Sequence, residues 1–81
     1  MVVYLKLYDK CKYDVTSKVK RKIFYNDVKK FEVIGGDEAI LIEEYTDRSG
    51  IDEYHEYLRL TFENGDTSTF RNSHVDCFLE R

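Results

Sequence analysis

Tyr54-His55-Glu56-Tyr57-Leu58-Arg59-Leu60-Thr61-Phe62-Glu63-Asn64-Gly65-Asp66-Thr67-Ser68-Thr69-Phe70 is the stretch that decides the fold. Leu58, Leu60 and Phe62 alternate with Arg59, Thr61 and Glu63, the two-residue period of a strand with one face in a core and the other in water. Asn64-Gly65 then supplies residues that accept positive φ at low cost, and a threonine-rich strand follows. The segment therefore reads as a β-hairpin. A two-residue loop would set Glu63 against Asp66, like charges face to face. A three-residue loop, Glu63-Asn64-Gly65 with the glycine as bulge residue, pairs Phe62 with Asp66 and Leu58 with Phe70. The second register is favoured because it removes the charge clash and brings Phe70 onto the leucine face.

Outward from the hairpin, the rest of the chain reads as more of the same. Val3, Leu5 and Leu7 alternate with Tyr4, Lys6 and Tyr8 over residues 2–8, a first strand whose tyrosines share the face away from the aliphatics. Asp9-Lys10-Cys11-Lys12 reads as a turn. Residues 13–22 hold few aliphatics and many lysines, the pattern of an exposed edge strand that discourages unwanted pairing. Ile23-Phe24-Tyr25 continues it, Asn26-Asp27 interrupts, and residues 28–34 resume with Phe31 and Val33 on one face and Lys30 and Glu32 on the other. Gly35-Gly36-Asp37 reads as a hairpin turn into a central strand, Ala39-Ile40-Leu41-Ile42, in preference to a short helix capped by Asp37. Residues 45–53 form the longest polar connection. Asn72-Ser73-His74 suggests one turn of 3₁₀ helix before a last strand from Val75 to Leu79. Phe24 to Phe31 and Phe70 to Phe78 share an order of strand, asparagine turn, valine and phenylalanine, a faint internal echo.

These elements predict a single all-β domain spanning 1–81, with five to six mostly antiparallel strands bent into a small roll or barrel. Its expected core is Val3, Leu5, Leu7, Phe24, Phe31, Val33, Ile40, Ile42, Leu58, Leu60 and Phe62. A chain of 81 residues supports one small domain. There is no proline, so Gly, Asn, Asp and Ser must make the turns. No apolar run approaches membrane-spanning length, and the first residues lack a signal-peptide pattern, so a cytoplasmic location with reduced Cys11 and Cys77 is expected.

The chemistry of catalysis and metal binding is thinly represented. His74 and Cys77, with Cys11 and His55, are the only soft ligands, and they lack a paired-cysteine or paired-histidine element. Cys77 as a nucleophile would need an orienting acid and an oxyanion hole that no spacing indicates. Gly35-Gly36 lacks the further glycines and lysine of a phosphate loop. A non-enzyme without cofactor or metal is expected, and recognition falls to surfaces.

Two surfaces compete. Residues 37–66 hold ten Asp/Glu against two Arg, while residues 1–30 hold nine Lys/Arg against three Asp. Glu43, Glu44, Tyr45, Asp47, Asp52, Glu53, Tyr54, Glu56 and Tyr57 combine carboxylates with tyrosine anchors suited to a basic protein partner. Lys18, Lys20, Arg21, Lys22, Lys29 and Lys30, with Tyr25 to stack on a base, offer a nucleic-acid surface instead. The pI of about 5.3 weighs against that second reading. The favoured sequence reading is a protein-binding module; the alternative is a small nucleic-acid-binding β-domain. Whether the basic and acidic segments neutralise each other across the sheet or form separate poles decides how much of either surface is available. In composition and in its Asn-Gly hairpin the chain resembles small, acidic, tyrosine-rich β-proteins of phages and other mobile elements, the anti-CRISPR proteins among them. That resemblance implies an inhibitor of a nucleic-acid-handling host protein and carries no functional residue with it.

Overall fold

The computed structural model describes residues 1–38 and 54–80. Within them the chain is all-β: strands β1 (Val2–Tyr8), β2 (Val19–Tyr25), β3 (Val28–Gly35), β4 (Glu56–Phe62), β5 (Thr67–Arg71) and β6 (Val75–Glu80), with a 3₁₀ turn at Asn72–His74. They form two three-stranded antiparallel sheets, ordered β2-β1-β6 and β3-β4-β5.

The hairpin that reads most clearly in the sequence is formed in the favoured register, with Leu58 opposite Phe70 and Leu60 opposite Ser68. The Phe62 N–H donates to the Asp66 carbonyl at 2.8 Å, and the Gly65 N–H donates to the Phe62 carbonyl at 2.9 Å. Gly65 holds φ at +91°, the left-handed region that closes a three-residue hairpin with a bulge.

Between β1 and β2, residues 9–18 close on polar side chains in place of proline. The Asp9 N–H donates to the Lys18 carbonyl at 3.0 Å, and the Lys18 N–H donates back to the Asp9 carboxylate at 2.8 Å. Asp14 accepts from the Thr16 N–H and hydroxyl at 2.8 and 2.7 Å, a local side-chain turn of the kind aspartate favours.

Twice the chain changes sheets, each time at an asparagine kink. Asn26-Asp27 carries it from β2 into β3, and Asn72–His74 carries it from β5 into β6. The two halves are thereby equivalent: β1 and β4 are central, β2 and β5 are their hairpin partners, and β3 and β6 each complete the other half's sheet. The echo around Phe24–Phe31 and Phe70–Phe78 is the sequence trace of that exchange. At one corner the Val28 N–H donates to the Met1 carbonyl and the Met1 amino group donates to the Val28 carbonyl.

The core lies between the sheets. Val3 and Leu5 of β1, Leu58, Leu60 and Phe62 of β4, and Val28 and Val75 at the two crossover points are buried, with Leu7, Ile23, Tyr25, Phe70 and Cys77 packed around them. Each such aliphatic contributes about 1.5–3 kcal/mol on full burial. Ile34 and Tyr57 form a second buried pair. They are register partners on the opposite face of β3-β4-β5.

The structure corrects the expected core at Phe24, Phe31 and Val33, and the expected turn after β3. Phe24 is 59% exposed, because Ile23 and Tyr25 take the inner face of β2 and leave Phe24 outside. Phe31 and Val33 do face inward, opposite Leu60 and Leu58, but β3 is an edge strand and the first sheet does not cover them; Val33 is 54% exposed. After Gly35 the chain enters helical backbone at residues 36–38, so Gly35-Gly36-Asp37 is not the expected hairpin turn. Ile40 and Ile42, and the strand expected over Ala39-Ile42, lie outside the described residues.

Candidate functional site

The outer face of the β2-β1-β6 sheet brings three aromatic residues into one row. Tyr4 on the central strand is opposite Phe24 of β2 on one side and opposite Phe78 of β6 on the other. The row exists because β1 spends its inward positions on Val3 and Leu5, which turns Tyr4 and Lys6 outward. Phe24 and Phe78 keep 59% and 46% of their surface exposed, and the Tyr4 and Phe78 ring centroids lie 6.0 Å apart. Apolar rings held this way on a solvent-facing sheet present flat surfaces to a partner.

The next row along the strands is charged. Lys6 stands opposite Lys22 on one side and Asp76 on the other. Its Nζ lies 5.4 Å from the centroid of the Phe78 ring, a cation–π distance that ties the charged row to the aromatic one. Asp76 is engaged elsewhere: the Tyr8 hydroxyl donates to it at 2.6 Å, and Lys12 Nζ pairs with it at 3.5 Å. That hydrogen bond to a carboxylate pushes the Tyr8 hydroxyl above its ordinary pKa, so it remains a donor. Lys12 also donates to the Val75 carbonyl at 3.0 Å. Among the described residues no ion pair engages Lys6 or Lys22.

Strand pairing does not neutralise the basic segment. Among the described residues β2 is an edge strand paired only with β1, and the two strands together hold Lys6, Lys20, Arg21 and Lys22 without one carboxylate. Lys6 and Lys22 are like charges directly opposite, an arrangement that costs stability. With Asp76 and Glu80 of β6 set against these four cations, the sheet still holds an excess of positive charge, although the whole chain has a net charge of −3.

The expected nucleic-acid set divides across the fold. Lys22 joins the aromatic face. Arg21 is opposite Leu7, and the register shift at Leu7/Tyr8 leaves Lys20 as the extra residue of a bulge. Lys20 lines a cleft beside β5, and Arg21 is exposed. Lys18 is exposed at the end of the loop closed by Asp9. Lys29 and Lys30 are exposed on β3 of the other sheet. Tyr25 does not lie on the outer face with Lys22: half-buried, its ring packs 4.9 Å from that of Phe62 at the margin of the core. Phe24, one residue earlier, occupies the outward position, and Tyr4 and Phe78 complete a platform that counting lysines does not reveal. The outward placement of Tyr4 was legible from alternation; its alignment with Phe24 and Phe78 needed the strand order.

Of the expected protein-binding set, Glu43, Glu44, Tyr45, Asp47, Asp52 and Glu53 lie outside the described residues. Tyr54 and Glu56 are exposed. Tyr57 is 2% exposed and packs with Ile34, so its ring is part of a buried cluster and not a surface anchor.

Cys11 and Cys77 are free thiols, and burial pushes the Cys77 thiol up from its ordinary pKa. Among the described residues no three His, Cys, Asp or Glu side chains converge as metal ligands, and no helix is long and apolar enough to cross a membrane. Comparison of the chain with protein-family models, with curated proteins and with solved structures finds no match.

Proposed function

We propose that the protein is a non-catalytic binding module that takes single-stranded nucleic acid on the outer face of β2-β1-β6. The observation that carries this reading is the exposed row Phe24–Tyr4–Phe78 lying two residues along the strands from the like-charged pair Lys6–Lys22. A single strand offers flat bases to stack on rings and phosphates to meet ammonium groups, and it needs no deep pocket. Two lysines without an ion pair among the described residues, beside aromatic rings, match both parts of that ligand. The overall acidic charge does not oppose the reading, since the three strands of this sheet hold four cations against two carboxylates, Asp76 and Glu80 of β6.

The test is fluorescence anisotropy with labelled single-stranded DNA and RNA of about a dozen nucleotides at low salt. Binding should weaken steeply with added salt. Phe24→Ala should weaken it about 5–100-fold while leaving the melting temperature within a few degrees, since stacking on an exposed ring is worth about 1–3 kcal/mol. Absence of binding to every single strand at low salt overturns the reading. The choice would then return to the acidic segment around Glu43–Glu56 and a basic protein partner, the inhibitor reading included.

A further inference from the structure

We infer that the outer face of β2-β1-β6 takes three nucleotides of a strand that runs across the β-strands, with Asp76 and Glu80 closing the phosphate track at β6. This rests on the single-strand reading above. Phe24, Tyr4 and Phe78 stand in one register row, one ring from each strand. A ligand that visits all three rings must therefore cross the strands and not follow one of them. The Tyr4 and Phe78 ring centroids are 6.0 Å apart. That is well beyond the rise of about 3.4 Å between neighbouring bases in a duplex strand. Bases cannot stay stacked on one another and also cover both rings, so the face takes a splayed single strand, one base to a ring.

The charges beside the row are asymmetric. Lys22 and Lys6 stand two residues from Phe24 and Tyr4, on the same side of the row and about 7 Å along the strands. On β6 that place is taken by Asp76, opposite Lys6. Two residues to the other side of Phe78 stands Glu80, opposite Val2. Phe78 thus has a carboxylate to either side. Lys12 Nζ, at 3.5 Å, offsets part of the charge of Asp76, whereas Glu80 is exposed and has no ion pair among the described residues.

Three rings and two lysines match three bases and the two phosphates that link them. Lys22 meets the phosphate between the bases on Phe24 and Tyr4. Lys6, whose Nζ already leans to within 5.4 Å of the Phe78 centroid, meets the phosphate between the bases on Tyr4 and Phe78. A further phosphate beyond Phe78 would be repelled by the carboxylates there, so a longer strand leaves the face at β6.

The experiment titrates the full chain, ¹⁵N-labelled, with thymidine oligonucleotides of increasing length, from the dinucleotide to the hexanucleotide, all with hydroxyl ends. The trinucleotide should bind about 5–100-fold more tightly than the dinucleotide, the worth of one more stacked base. Beyond the trinucleotide, affinity should grow only by the number of placements a longer strand offers. For the trinucleotide the slope of log K against log salt should be about −1.4, two phosphates at about 0.7 each. Phe78→Ala should bring the trinucleotide and dinucleotide affinities together and leave the melting temperature within a few degrees, since the ring is 46% exposed. Glu80→Lys should tighten binding of the tetranucleotide and steepen its salt slope by about 0.7. Glu63→Lys, the same change of charge at the exposed β4-β5 turn, should leave that slope unaltered. Affinity that keeps climbing by a base's worth past the trinucleotide overturns the three-base register and leaves the stacking face standing. So does a Glu80→Lys variant that binds and responds to salt as the wild type does. Failure of every length to bind overturns both readings.

Discussion

Replacing Lys22 by Glu should move stability and binding in opposite directions. Lys22 faces Lys6 across β1-β2, and neither is held by an ion pair among the described residues. Two unit charges roughly 6 Å apart in an effective dielectric of about 40–80 repel by about 0.7–1.4 kcal/mol. Screening at physiological salt reduces this by about half. Converting the repulsion to attraction doubles the change, giving a gain of about 0.6–1.4 kcal/mol. For a domain of this size the melting temperature should rise by about 2–10 °C. The rise should shrink toward zero in 1 M salt, where the Debye length falls to about 3 Å. The same variant should lose affinity for single strands, and the slope of log K against log salt should flatten by about 0.7 or more for the lost phosphate contact. Lys22→Gln should show about half of each effect. Differential scanning calorimetry and anisotropy titrations check the two arms. A variant that melts below the wild type refutes the electrostatic pairing. A variant that is more stable and binds with unaltered affinity removes Lys22 from the interface.

Gly65→Val should destabilise the protein by about 1–2 kcal/mol or more in urea unfolding, because its +91° φ is hostile to a β-branched residue. A Cβ there meets nothing within 4 Å, so Gly65→Asn should be much milder; equal losses would point to a steric cause. Tyr25→Ala should cost about 1.5–3 kcal/mol through the lost Phe62 ring contact, while Phe24→Ala should cost less than about 1 kcal/mol, and equal costs in chemical denaturation would contradict the facing of β2. Acid should loosen the 9–18 loop. The Lys18 N–H bond lowers the Asp9 pKa, and the Thr16 hydroxyl bond lowers that of Asp14. Because the folded values lie below the unfolded ones, their stabilisation is complete above the unfolded carboxylate range and is lost as pH falls through the lowered values, below about pH 4. Carboxyl NMR titrations that place both groups at or above ordinary aspartate values would contradict this.

Alternation over Leu58–Phe62, the Asn64-Gly65 turn and the clash of Glu63 with Asp66 determine β4, β5 and their register without any long-range information. The first strand and the 3₁₀ turn are equally local. What alternation could not resolve is phase across irregularities. Ile23-Phe24-Tyr25 is apolar at every position, so either phase is acceptable until the partner strand is known. The register shift between Val28 and Lys30 puts Val28 and Phe31 on one face at a spacing of three, which a two-residue period misreads. Val75 and Val28 are buried because they sit where the chain changes sheets, a property of topology. The lysines of the candidate site were visible as composition. Their partition between a face and a cleft depends on one bulged residue, and the aromatic row depends on three strands brought together from distant parts of the chain.

The exchange of third strands between the two halves makes neither half a folding unit. Each half alone, β1-β2 or β4-β5, is a two-stranded hairpin of the kind that is marginal in water, and the strand it needs belongs to the other half. A chain severed between residues 38 and 54 should therefore behave as a split protein. Its fragments, each unstructured alone, should reassemble on mixing by mutual strand complementation, with Met1 and Val28 clasping one corner from within a single fragment.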